Sequence, residues 1–214
     1  MRDRSRRPRA GTLLMLGALL LMAAALLLTG YNLWDDWRAS AAAEQVLEQM
    51  PVPTELPEQP STDPGEQKIP DYILDPDREM PTVEIDGNAY IGTLDIPSLD
   101  LSLPVMSDWS YPKLRVAPCR YAGTAYQSGF VIAAHNYRTH FGPLSRITVG
   151  DRVTFTDVDG NVFYYQVAEV QVLKPTAIEE MVSDDWDLSL FTCTLGGQTR
   201  LTVRCEKEDA SDLL

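Results

Sequence analysis

Hydrophobic and polar positions divide the chain into four stretches of different texture. Between Ala10 and Trp34 the sequence reads GTLLMLGALLLMAAALLLTGYNL without a charged residue, and at helical rise that run exceeds a hydrocarbon core of about 30 Å. This predicts a membrane-spanning helix over residues 10–34. Residues 38–50 (RASAAAEQVLEQM) are rich in strong helix formers and predict a short helical continuation. From 51 to 81 prolines 51, 53, 57, 60, 64, 70, 76 and 81 alternate with acidic and small polar residues, which predicts a linker of polyproline character.

From about Val83 the pattern changes to short runs of β-branched and aromatic residues punctuated by Gly, Pro and Asp. Strands are expected over 89–97, 101–105, 129–134, 152–157, 161–173, 188–193 and 199–205. Asp159-Gly160 is a hairpin signal between two of them, and short helices are expected near 143–147 and 177–181. Many short strands in so small a segment argue a mainly β domain, a barrel or a sandwich. The resulting organisation is a basic tail (1–9), the span (10–34), a juxtamembrane helix and Pro-rich linker (35–82), a catalytic-sized domain (83–208) and a short tail (209–214). A chain starting near Val83 is expected to fold and act by itself.

Charge refines this picture. The chain carries 18 Lys+Arg against 31 Asp+Glu, a net −13, but residues 1–9 hold five Arg and one Asp, leaving −17 from Asp35 onward. The Arg-rich flank before the span, with Asp35-Asp36 after it, predicts a cytoplasmic N-terminus and an extracellular domain. A cleaved secretory signal is the rival, with Ala39-Ser40-Ala41 as a small-x-small site, but secretory apolar regions run to only about 7–15 residues. No basic footprint follows Arg9, so a nucleic-acid partner is excluded.

Candidate chemistry is sparse. The two histidines, His135 and His140, lie in VIAAHNYRTHFGPL, without metal-ligand spacing to any Cys or carboxylate, so no metal and no cofactor is expected. Cys193 closes the apolar run SLFTC before TLGGQ, and Arg200 opens the next run. Taken alone, a Cys closing a strand is as well a small buried hydrophobe, and a His at a strand end as well a structural residue. Together, a thiol, an imidazole and a guanidinium provide the nucleophile, the acid/base and the anion stabiliser that acyl transfer needs.

These residues carry a resemblance. YIGTLDIPSLDLSLPV, PCRYAGT before GFVIAAHNYRTHFGPLSRITVGDRV, and SLFTCTLGGQTRLTVR together resemble the sortases, membrane-anchored cysteine transpeptidases of Gram-positive bacteria. The family's Thr-Leu-x-Thr-Cys pattern becomes Ser189-Leu190-Phe191-Thr192-Cys193, with Ser in place of the first Thr. The resemblance implies an eight-stranded β-barrel with short helices behind an N-terminal transmembrane helix. It implies Cys193 as nucleophile, His135 as acid and base, and Arg200 as hydrogen-bond donor. The implied reaction cleaves a Leu-Pro-x-Thr-Gly-like sorting signal on a surface protein and passes the acyl group to an amine, of a peptidoglycan precursor or of a pilin. Wall anchoring is favoured over pilin polymerisation, because Asp75-Pro76-Asp77 lacks the aromatic of a pilin-type lid and EKEDASDLL holds no second apolar run. A secreted cysteine hydrolase and a non-catalytic envelope module with a buried Cys193 are the alternatives.

Four further expectations follow. His140 is expected in a solvent-facing loop, and Asp157 and Asp159 as turn formers rather than calcium ligands. Cys119 and Cys205 stand open between a disulfide and free thiols. Alternation puts Arg200, Thr202 and Arg204 on one strand face, so periodicity cannot choose between the arginines. Arg204 lies about 13 Å beyond Arg200 at strand rise, and TLGGQ lets the chain reverse beside Cys193, which favours Arg200.

Overall fold

A computed structural model of the chain describes residues 8–51 and 69–208. Residues 1–7 of the basic tail, the centre of the Pro-rich stretch (52–68) and the C-terminal tail (209–214) lie outside the described residues. The first helix, α1, runs Pro8–Gln49, and the chain divides into two compact units at Arg38/Ala39. In the first unit every side chain from residue 11 to residue 34 is exposed. A long, charge-free apolar helix of this kind is consistent with a membrane anchor.

The second unit begins with the last turns of α1. Ala39, Ala43, Val46 and Met50 are buried, and their spacing of four, three and four places them on one helical face. One turn of helix, α2 (Asp71–Leu74), precedes nine strands among the described residues. These are β1 (Val83–Ile85), β2 (Asn88–Ile96), β3 (Leu101–Met106), β4 (Cys119–Ala122), β5 (Phe130–Ala133), β6 (Arg152–Asp157), β7 (Val162–Leu173), β8 (Leu188–Cys193) and β9 (Arg200–Lys207). Short helices α3 (Tyr111–Leu114) and α4 (Ile178–Met181), and 3-10 turns at Pro97–Leu99 and Gly142–Arg146, fill the connections.

The strand order β2-β3-β4-β5-β8-β9-β7-β6 closes on itself when β6 pairs back onto β2 through Gly92–Asp95. This is the expected eight-stranded barrel, with β1 added along the N-terminal part of β2. It is mixed: β3/β4 and β5/β8 are parallel and the other pairs antiparallel. At closure the backbones approach so nearly that a Cβ on Gly92 would lie 2.1 Å from the Thr156 carbonyl oxygen, so only glycine fits there.

Alternate residues of the central strands serve two cores. Phe130, Ile132, Leu188, Leu190, Val203 and Cys205 point into the barrel, while Val131, Ala133, Cys119 and Phe191 belong to an outer cluster with Val46 of α1 and Met50 just after it. Burial on both faces explains why FVIA reads as an unbroken apolar run and why LSLF has only a small buried serine between its apolar residues. Cys119 and Cys205 are free, and their membership of different cores explains why no disulfide joins them.

Packing extends upstream of Val83. Met80 is buried in the barrel core, and Tyr72 stacks on Tyr126 at 5.0 Å and tilts against Phe163. The Gln127 amide donates to the Pro76 carbonyl and the Asp77 carboxylate, so residues 69–82 are docked rather than a free spacer. Burying one Met side chain is worth about 2 kcal/mol. A chain beginning at Ile69 is therefore expected to exceed one beginning at Val83 by about 2 kcal/mol or more in urea unfolding; equal stabilities would show that the docked segment contributes nothing.

Candidate active site

Cys193 is the last residue of β8 and Arg200 the first of β9, and the two are direct register partners. The connecting loop is tight because Gly197 donates to the Thr194 carbonyl (2.8 Å) and Thr194 to the Thr199 carbonyl (3.0 Å). Gly196 and Gly197 take φ of +85° and +71° there, a region that side-chain-bearing residues avoid. Paired residues of adjacent strands share a face, so the thiol and the guanidinium stem lie together on the outer face of the barrel wall.

On the other side of β8, parallel β5 brings up the histidine. Ala133 pairs with Phe191, the ladder continues through Ala134 N–H to the Phe191 carbonyl (3.2 Å), and one more step sets His135 level with Cys193. A side-chain bond ties the two strand ends: the buried Thr192 hydroxyl donates to the Ala134 carbonyl at 2.8 Å. The sequence pattern gives Thr192 no role by itself, although its place beside the thiol in the motif is the available signal. Past His135 the chain folds back, with Phe141 N–H donating to the His135 carbonyl (3.1 Å) and Gly142 N–H to the Tyr137 carbonyl (2.8 Å). A Cβ on Gly142 would lie 2.5 Å from that Tyr137 oxygen, so this loop too requires glycine.

Cys193 is half-buried and opens onto a cleft of about 490 Å³, walled by the loop after His135 and by Leu195 and Leu201. The Arg200 Nη1 donates to the Gly197 and Thr199 carbonyls, both at 3.1 Å, which steadies the β8–β9 loop. Burial pushes the Cys119 thiol up to about 12 and raises Cys205 further. Both thiols are closed to solvent, whereas Cys193 is partly open.

Arg204, the other arginine on this face, is 1% exposed. It donates to the Met181 and Glu180 carbonyls and to the Ser189 hydroxyl. It holds α4 to the wall. Of the three predicted site residues only Cys193 lines the cleft; what sets the arginines apart is register, Arg200 pairing with Cys193 and Arg204 with Ser189. Among the described residues no group of His, Cys, Asp and Glu could hold a metal ion. Asp157 accepts from the Asp159 and Asn161 backbone and from the Tyr126 hydroxyl, in keeping with its expected place as a turn former.

This fold has known counterparts. The sortase domain family model matches residues 94–208, more than half of the chain. The chain belongs to the sortase family. Solved structures agree: sortase C1 from Streptococcus suis is 27% identical over 56% of this chain and 73% of its own, with a TM-score of 0.51. Sortase C1 of GBS pilus island 1 is 26% identical, covering 59% and 67%, with a TM-score of 0.52. The sortase D5 transpeptidase of Clostridium perfringens, 21% identical over 59% and 83% with a TM-score of 0.52, shares the fold. No curated protein matches the chain. As a sortase, the chain is a cysteine transpeptidase acting on sorting signals.

The structure corrects one reading in this sortase loop. His140 is fully buried, not solvent-facing, because the loop turns back on itself, with His140 N–H donating to the Tyr137 carbonyl at 3.1 Å, and sets the His140 ring against the Tyr137 ring at 5.3 Å. No hydrogen bond of good geometry reaches either ring nitrogen, and desolvation, with a smaller contribution from nearby His135 and against the opposing effect of a weak Val116 backbone contact, lowers its pKa to about 4. In the unfolded chain an imidazole titrates near 6.5. Between those values the unfolded state holds the extra proton, so stability falls as pH drops from about 6.5 toward 4. The loss is expected to be on the order of 2–3 kcal/mol. His140→Phe should flatten this limb in urea unfolding at stepped pH; an unchanged slope would mean that another group causes it.

Proposed function

We propose that Cys193 is the nucleophile of this sortase, His135 its acid and base, and Arg200 its oxyanion donor, and that the enzyme anchors surface proteins to the cell wall. One observation carries the residue assignment: Cys193 stands between its register partner Arg200 and a strand end that sets His135 level with it. The Cys193 thiolate attacks the Thr carbonyl of a Leu-Pro-x-Thr-Gly-like signal, and Arg200 donates to the oxyanion through Nε or Nη2, which carry no bond to any described residue. The Thr–Gly bond breaks as the His135 imidazolium gives its proton to the departing amine, leaving a thioester. An incoming amine then attacks, passes its proton to neutral His135 and releases the thiolate. One amide is broken and one is made.

Wall anchoring is supported by the docking of residues 69–82 on Tyr126, Gln127 and Phe163, since none of them lines the Cys193 cleft as a lid would. Likeness to the sortase C1 of a pilus island at 26% identity favours pilin polymerisation as the second reading. The anchor places the N-terminus inside the cell and the barrel outside, on the charge asymmetry across the span. Incubation with signal peptide and amine tests the reaction: product is expected to be the amine conjugate, and free carboxylate alone, unchanged by amine, would make the protein a hydrolase. In cells, a deletion that leaves one surface protein unanchored supports the wall reading, and loss of a polymer ladder supports the pilin one.

A further inference from the structure

The chain is strongly acidic, with 31 Asp+Glu against 18 Lys+Arg, yet the cleft beside Cys193 has no carboxylate in its lining and two guanidinium groups, Arg138 and Arg146. Both side chains are exposed and both come from the loop that follows His135. Asn136 and Ser145 add neutral polar groups to the same wall. Glu44 and Asp100 stand in a separate, smaller cavity on the far side of the loop, which the two arginines also border. Arg146 nonetheless makes no ion pair with any described residue. The local sign of charge is therefore opposite to that of the protein around it, where like-signed ligands would be repelled and anions drawn in.

Chemistry says which reactant meets this wall. In the reaction proposed above, both proton transfers to and from an amine occur at His135, so the amine must approach along His135 and its loop. We infer that this cleft selects an amine nucleophile that also carries an anionic group, a carboxylate or a phosphate, which Arg138 and Arg146 bind while the amine faces the thioester. The inference rests on the transpeptidase reading of this site and adds the class of acceptor. The thioester carbon gains a bond to the amine nitrogen, the C–S bond breaks, and the amine proton passes to His135; the anion takes no part in the bond changes and serves to hold the acceptor. The guanidinium fork matches carboxylate and phosphate oxygens.

The test uses the full-length chain in detergent micelles, a neutral Leu-Pro-Ala-Thr-Gly donor, and two matched acceptor pairs: triglycine against triglycinamide for a carboxylate, and phosphoethanolamine against ethanolamine for a phosphate. The anionic member of at least one pair is expected to show a KM about three- to tenfold lower, the range for partly solvated charge pairs. The pair that responds names the anion. That preference should shrink with added salt and vanish in the Arg138→Gln/Arg146→Gln double variant, while the exposed single change Arg146→Glu should reverse it. Equal KM values within both pairs, or a preference that persists in the double variant, would overturn the inference. Ligand-detected NMR of the same acceptors on Cys193→Ala protein reads the preference without turnover, so a failure of thioester chemistry and a failure of this inference are told apart.

Discussion

Cys193→Ala is expected to reduce signal-peptide cleavage by roughly 10⁴-fold or more, the scale on which nucleophile removal acts, while the folded barrel persists. The argument begins with access. Cys193 opens onto a cleft, whereas Cys119 lies in the outer core and Cys205 inside the barrel. Burial raises the pKa of both, which keeps them as thiols at neutral pH, and a thiol is a poor nucleophile beside a thiolate. Cys119→Ala and Cys205→Ala should therefore cleave peptide at rates close to the parent's. Thiol reagents should modify one cysteine per folded chain, and modification that tracks Cys119 or Cys205 would count against the assignment.

The second large effect separates two arginines by kind. Arg200→Ala is expected to lower kcat by roughly 10² to 10³, the scale for loss of one oxyanion donor, with the fold intact because, among the described residues, the Arg200 guanidinium bonds only carbonyls of its own loop. Alternation and distance along the strand favour Arg200 over Arg204 and give Arg204→Ala an effect on kcat of less than about tenfold in a folded protein. Its burial changes the form of that expectation. Removing a side chain that satisfies two carbonyls and a hydroxyl across α4 and β8 leaves those groups without partners, at a cost on the order of 3 kcal/mol. Arg204→Ala should thus lower the urea midpoint markedly while the surviving folded fraction keeps kcat within about tenfold, or about 1.4 kcal/mol of barrier. A kcat loss larger for Arg204→Ala than for Arg200→Ala, measured on folded protein, would reverse the roles.

Much of this was legible in the chain. The seven strands with long apolar or alternating runs all form, because each has enough β-branched and aromatic side chains to cover a barrel wall. β1 is not among the expected strands although its signal is present: Asp86-Gly87 makes the hairpin turn, with φ of +50° and +75°, but three residues are too few for a periodic pattern. α3 is similar, since Ser110 caps it by accepting from Lys113 N–H and only one turn follows. β4 has four residues, one of them an arginine that reaches the Ser107 carbonyl, so it does not read as apolar. The docking of Met80 was obscured by the prolines around it, which describe backbone stiffness and say nothing about where a side chain packs. Burial of Arg204 and His140 could not be read from periodicity, because each depends on a segment distant in sequence or on a turn folding over the barrel. The pairing of Cys193 with Arg200 lay closer to the surface of the sequence, in the length of the loop between them and its two glycines.

The central claim is that Cys193 carries the acyl group between donor and acceptor. Intact-mass analysis of the full-length chain with a Leu-Pro-x-Thr-Gly peptide, followed by digestion to locate the adduct, tests it most directly. The account predicts an acyl adduct on the peptide containing Cys193 that disappears when an amine is added and reappears as the amine conjugate. An adduct on another residue, or one that survives amine and yields no conjugate, would contradict it.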